Sequence, residues 1–212
     1  IFDIIYLAKV LDCGLIFSCY FITAGRIEGE DDSRVSVEQW RELADFVVED
    51  MLDPDVKLEY DIGAIPSVIP YIAERFIERG VDVSKGLERL KIMSACPVGK
   101  GHMNINSEGG IMPCQFAQDW VVGNVREMSF AEAAAALYAI DLEESTGICA
   151  PENCEYSRIC RGCRAKAWQR EGDYMAEDLT CILHPERART IPVERPAGHS
   201  PSAPCAVPGG CG

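Results

Sequence analysis

Cations are scarce in this chain. Its 212 residues carry 20 Lys and Arg against 34 Asp and Glu, a formal net charge of −14. Such a surface repels phosphate backbones and anionic lipid, which argues against nucleic acid and membrane as partners. Long apolar runs are scarce as well. Asp3, Lys9 and Asp12 interrupt the apolar N-terminal stretch, and the longest uncharged run there, Cys13 to Gly25, is shorter than the roughly 20 residues a spanning helix needs. No export signal is readable, so the expected compartment is the cytoplasm, where disulfides are rare. There is no internal repeat. The chain starts at Ile1 rather than Met, and the expectation is a fragment of a longer protein.

What is plentiful is cysteine: 11 residues in a chain that is otherwise of ordinary globular composition, 48% hydrophobic and 25% charged. Without disulfides, clustered thiols point to metal. Seven lie between Cys96 and Cys181, with 17 residues between Cys96 and Cys114 and 34 more before Cys149. There follow Cys149-x4-Cys154-x5-Cys160-x2-Cys163, and 17 residues later Cys181. The Cys160/Cys163 pair lets two thiolates converge, with Gly162 permitting the tight turn. Four thiolates hold either zinc or an iron–sulfur cluster. A single Cys-x2-Cys knuckle favours the cluster, whose larger size tolerates irregular spacing. Arg158, Arg161, Arg164, Lys166 and Arg170 crowd these cysteines against Glu152 and Glu155, a compensation for clustered thiolates that suits either metal.

Three stretches are expected: 1–95, 96–186 and a Pro/Gly/Ser-rich tail at 187–212, read as disordered. In the first, Gly14 to Thr23 reads as a strand buried on both faces, with Cys13 and Cys19 as small buried hydrophobes. Ser36 and Gln39 open a capped helix bearing Trp40, Leu43, Val47 and Met51, stopped by Pro54. Val56 to Ile62 alternates as a second strand, and Ser67 to Arg79 reads as a helix holding Tyr71, Ile72, Phe76 and Ile77 inside, ended by Gly80. Strand, helix, strand, helix implies βα units with parallel pairing. In the second stretch, Met103 to Met112 reads as a hairpin about Gly109-Gly110, and Ser129/Glu132 as a capping box opening a helix to about Leu142.

The phrases "INSEGGIMPCQF", "VVGNVRE", "CEYSRICRGCRAKA" and "GDYMAEDLTC" occur in that order over about 90 residues. In them, Cys96 to Cys181 resembles the SPASM domain, the C-terminal extension of radical S-adenosylmethionine (SAM) enzymes that carries auxiliary [4Fe–4S] clusters. The last two phrases look most like the radical SAM enzymes of heme and heme-d biosynthesis. The resemblance implies an α/β then α+β fold: the last units of a partial (β/α)6 barrel followed by a small cysteine-rich, twitch-like domain with a hairpin and helices. It implies that Cys149, Cys154 and Cys160 join Cys181 on one cluster, while Cys163 reaches back to Cys96 and Cys114 on another. The sequence has no eighth cysteine between Cys96 and Cys114. His102 stands in that gap as a candidate fourth ligand, an open iron or the absence of this cluster being the alternatives.

Barrel chemistry sits at the C-terminal ends of strands, which makes Thr23, Gly25, Arg26 and Ile62 to Pro66 candidates for the SAM and substrate mouth. The Cys-x3-Cys-x2-Cys loop that binds the SAM-cleaving cluster in this superfamily is missing, so the chain alone is expected not to cleave SAM. The expected partners are a tetrapyrrole or, as runner-up, a peptide substrate, and an electron donor or acceptor such as ferredoxin or flavodoxin. The competing reading is a zinc-stabilised, non-enzymatic binding module.

Overall fold

The structure, a computed structural model, describes residues 1–22, 35–100, 102–142 and 145–186. Thr23, Gly25 and Arg26, the acidic loop at 28–32, and the tail with His199, Cys205 and Cys211 lie outside them. The chain opens with a helix, α1 (Phe2–Val10), and a short strand, β1 (Leu15–Cys19). Helix α2 (Val37–Leu52) then leads to β2 (Glu59–Gly63), and α3 (Val68–Glu78) and α4 (Ser84–Met93) follow. β1 and β2 pair in parallel, Leu15 facing Glu59 and Cys19 facing Gly63. Such pairing needs a crossover, and α2 supplies it. The Ser36 hydroxyl accepts from the Gln39 N–H while the Gln39 side chain accepts from the Ser36 N–H, a complete capping box. Behind the sheet, Trp40, Leu43, Ala44 and Val47 of α2 meet Val68 and Tyr71 of α3, with Ile5 and Tyr20.

Several expectations change here. β1 is not buried on both faces. Ile16 packs toward the helices, but Leu15 is 55% and Phe17 60% exposed, because among the described residues β1 has only β2 beside it and nothing covers that face. Cys13 and Cys19 are exposed rather than core residues. Met51 and Ile77 face solvent; their helices bury Val48 and Ala73 instead. Neither α1, which buries only Ile5, nor the polar α4, which buries nothing, was foreseen.

The C-terminal part contains a three-stranded antiparallel sheet, β3 (Asn104–Ile105), β4 (Gly110–Met112) and β5 (Gly123–Asn124), in that spatial order. The hairpin turn is Asn106 to Gly109, not Gly109-Gly110. Gly109 takes φ of +86°, and Gly110 already belongs to β4. Helix α5 (Phe130–Tyr138) carries the Ser129/Glu132 capping box but ends four residues short of Leu142. Two short helices, α6 (Ser157–Cys160) and α7 (Arg164–Glu171), frame the Cys160/Cys163 pair. No described helix is long and apolar enough to cross a membrane.

The two parts are stitched together at residues 180–183. Ile182, fully buried, belongs to the N-terminal core. Its N–H donates to Ser67 Oγ at 3.2 Å, and its carbonyl accepts from Arg41 Nε at 2.7 Å. Lys166 of α7 sits 3.0 Å from the ring centroid of Tyr20, which stacks on Trp40. Ser67→Ala leaves the buried Ile182 N–H without an acceptor. It is expected to lower unfolding free energy by about 1–3 kcal/mol in denaturant titration, with helix content by circular dichroism unchanged.

Candidate metal centre

Four thiols from four points along the chain surround one cavity. Cys149 comes from a 3-10 turn, Cys154 from the loop after it, Cys160 from the end of α6, and Cys181 from the segment stitched to the N-terminal core. They line one small cavity together with Ser67, Ser157, Arg161, Gly162, Asp178 and Leu183. Cys149, Cys160 and Cys181 are buried; Cys154 is half-buried. Among the described residues, no three His, Cys, Asp or Glu side chains lie together where they would hold one metal ion.

Backbone N–H groups are aimed at the sulfurs. Gly162 N–H donates to Cys160 Sγ and Asp178 N–H to Cys149 Sγ, both at 3.4 Å. Cys181 receives N–H groups of His184 and Leu183, and Cys154 those of Tyr156 and Ser157. The local backbone is bent to allow this. Arg161 and Gly162 both take positive φ, +64° and +60°. A Cβ on Gly162 would lie 2.7 Å from Cys149 Sγ and 2.6 Å from Arg164 Nη2, so only glycine fits.

Burial dominates the electrostatics. It pushes the Cys160 thiol well above its ordinary range, with the Cys181 sulfur adding to the effect. It raises Cys181 to about 12, helped by the neighbouring Asp178 carboxylate and opposed by the N–H groups. Burial also raises Cys149, against the charge of Arg164. Arg164 is fully buried. Its Nη1 donates to the carbonyls of Tyr174 and Ala176 at 2.8 and 3.0 Å. Its guanidinium faces Cys149 Sγ across the space Gly162 leaves, and both its charge and its side-chain hydrogen bonding favour the Cys149 thiolate. A buried guanidinium beside buried sulfur is an environment that favours negative charge on that sulfur. The residues present therefore fit a thiolate-bound cluster.

The other three cysteines lie close by. Cys96 and Cys114 belong to one apolar cluster with Val98 and Leu142, and Cys163 to another with Ile22 and Ala165. Cys96 raises both partners electrostatically, after burial, which carries Cys163 to about 12. Phe116 and Ala117 N–H groups reach Cys114. His102 is exposed and does not line the four-cysteine cavity. Pro66 is buried between β2 and α3, next to the Ser67 wall of that cavity. Trp120 stacks on Tyr174, which stacks on Trp168. His184 is half-buried.

Asp178 ties the two groups of thiols together, and sequence reasoning missed it. Its N–H serves Cys149, while its carboxylate accepts the Cys163 N–H at 2.7 Å and both the N–H and hydroxyl of Thr180. Burial favours the neutral acid, but Lys166, the Thr180 hydroxyl and the two N–H groups outweigh it and hold the carboxyl below its ordinary range. Lys166, fully buried, donates to Thr180 Oγ1 at 2.8 Å. The Asp-x-Thr turn three residues before Cys181 is the signal that marks this residue in the sequence.

Residues 96–164 match the SPASM family, an iron–sulfur cluster-binding domain. The chain is similar to AdoMet-dependent heme synthases. It is 27% identical to that of Methanosarcina barkeri over 184 residues, covering 84% of this chain and 51% of the relative. It is 29% identical to that of Nitratidesulfovibrio vulgaris over 171 residues, covering 78% and 45%. That of Oleidesulfovibrio alaskensis is 25% identical over 190 residues, covering 87% and 48%. Alignments this long include the βα units as well as the cysteine-rich part. The chain spans about half the length of these relatives. No solved structure matches it significantly. The likeness of the chain to radical SAM/SPASM proteins of the heme-synthesis type thus runs through both parts.

Asp178→Asn removes a buried carboxylate while Lys166 stays inside. The expected loss is about 3 kcal/mol or more of stability in chemical denaturation, far beyond the roughly 0.5 kcal/mol of a surface change.

Proposed function

We propose that this chain is the auxiliary-cluster part of a radical SAM enzyme that modifies a tetrapyrrole oxidatively. Its βα units are then the last ones of a partial (β/α)6 barrel, with Thr23, Gly25, Arg26 and Pro66 toward the SAM and substrate mouth. Cys149, Cys154, Cys160 and Cys181 hold one [4Fe–4S] cluster; Cys96, Cys114 and Cys163 hold a second, completed by His102 or left open at one iron. The observation that carries the reading is the cavity lined by four cysteines, Cys149, Cys154, Cys160 and Cys181. The SPASM match and the heme-synthase relatives support it.

When bound, such a cluster supplies a one-electron store and, at an open iron, a Lewis acid. The chain's own residues set the conditions for it. Loading displaces protons from thiols that burial otherwise keeps neutral, so binding strengthens as pH rises. The N–H donors on Cys149 and Cys160 and the buried Arg164 stabilise thiolate charge, which favours the reduced, more negative state. Ser67 and Leu183 wall the cavity on the side of the N-terminal core. Cleavage of SAM belongs to a Cys-x3-Cys-x2-Cys loop, which this sequence does not contain, so the chain by itself is proposed to be inactive in that step.

The zinc-stabilised module is the competing reading, and loading experiments separate the two. Anaerobic reconstitution with iron and sulfide is expected to give a brown protein with several irons and sulfides per chain. Cys160→Ala and Cys181→Ala should each lose about one cluster's worth of iron and destabilise the C-terminal half. A colourless product with stoichiometric zinc, or unchanged iron in both variants, contradicts the assignment.

A further inference from the structure

One buried hydroxyl in the cysteine-rich part has nothing to bond to. The Tyr174 oxygen is shut off from solvent and has no hydrogen-bond partner among the described residues. Other tyrosines differ: Tyr60 donates to Asp50, Tyr71 to Asp45 and Tyr156 to Glu74. An unpaired interior hydroxyl costs stability, and a phenylalanine would fill the same space without that cost.

The ring is held firmly in place. It stacks on Trp120 at 4.2 Å and on Trp168 at 4.6 Å, with interplanar angles of 28° and 9°. The backbone around it is tied down as well. The Tyr174 carbonyl accepts from Arg164 Nη1, and the Met175 N–H donates to Asp173 Oδ1. Trp120 and Met175 pack into the apolar cluster that contains Cys96 and Cys114. Burial, the Asp119 carboxylate and the Cys114 sulfur all raise the phenol, which puts Cys114 within electrostatic reach and keeps the proton on the oxygen.

We propose that the Tyr174 hydroxyl donates a hydrogen bond to the Cys114 sulfur once that sulfur is a metal-bound thiolate. The proposal rests on the two-cluster reading above and adds a residue that sets the reduction potential of the Cys96/Cys114/Cys163 cluster. A neutral thiol is a weak acceptor and offers the hydroxyl little; a thiolate is a strong one. The Phe116 and Ala117 N–H groups already reach this sulfur, so Tyr174 is its third donor. A donor on a ligating sulfur stabilises the reduced, more negative cluster and makes it easier to reduce. The two indoles hold the oxygen in position; the oxygen itself does the tuning.

The test compares Tyr174→Phe and Tyr174→Leu with wild type, both metal-free and after anaerobic reconstitution with iron and sulfide. Tyr174→Phe keeps the stack and loses only the oxygen. Metal-free, it is expected to unfold at the same denaturant concentration as wild type or a higher one, because the hydroxyl has no partner there. Tyr174→Leu loses the stack and should unfold earlier. After loading, Tyr174→Phe should keep the wild-type iron content. In a reductive titration with dithionite followed by electron paramagnetic resonance, its Cys96-group cluster should be reduced at a lower potential, with the four-cysteine cluster unmoved. Cys163→Ala, which removes the Cys96-group signal, assigns the two. Full iron with both potentials unmoved in Tyr174→Phe overturns the proposal alone. So does loss of one cluster's iron in that variant, which makes the oxygen a ligand, and so does earlier unfolding of its metal-free form, which gives the hydroxyl a structural partner. A wild-type sample with iron for one cluster or none overturns the two-cluster reading, and the Tyr174 proposal with it.

Discussion

Sulfur removed from water is the constraint on which this structure depends. A thiol tolerates burial as a neutral group; a thiolate does so only beside hydrogen-bond donors and positive charge. The four-cysteine cavity combines the two conditions. Burial pushes Cys160 and Cys181 upward, while N–H groups, the turn at Arg161-Gly162 and the guanidinium of Arg164 are arranged for the charged form. An apolar pocket would omit the donors. A cavity with those donors is one prepared for a group that takes the protons' place.

That preparation extends into the rest of the fold. Asp178, Thr180 and Lys166 form a buried chain of contacts whose far end lies over Tyr20, and Tyr20 stacks on Trp40 in the N-terminal core. Two residues beyond Thr180, Ile182 sits inside that core, and Ser67 is shared between the core and the cavity wall. The βα units and the cysteine-rich part therefore meet at the four-cysteine cavity. A change in the order of residues 178–183 is felt on both sides, so under the proposed function cluster loading and N-terminal stability are coupled.

Local signals were readable in the sequence, and non-local ones were not. Both capping boxes formed as the Ser-x-x-Gln and Ser-x-x-Glu spacings imply, because a cap involves residues three apart. The parallel βα unit followed from alternation of strand and helix. The burial of β1 did not, since a run of apolar residues says nothing about how many strands stand beside it; Phe17 reads as core and lies on an uncovered face. At the site, spacing showed that cysteines cluster, and only the family resemblance divided them into groups. Arg164 and Lys166 were visible as a local surplus of charge, but their complete burial depends on Tyr174, Ala176 and Thr180 folding over them.

The most direct test is an anaerobic crystal structure of the reconstituted chain, with diffraction recorded on both sides of the iron and zinc absorption edges. Iron anomalous density inside the cavity, bonded to Cys149, Cys154, Cys160 and Cys181, is the predicted result. Zinc density there, or iron held by other residues with these four sulfurs still facing an empty space, would contradict the account.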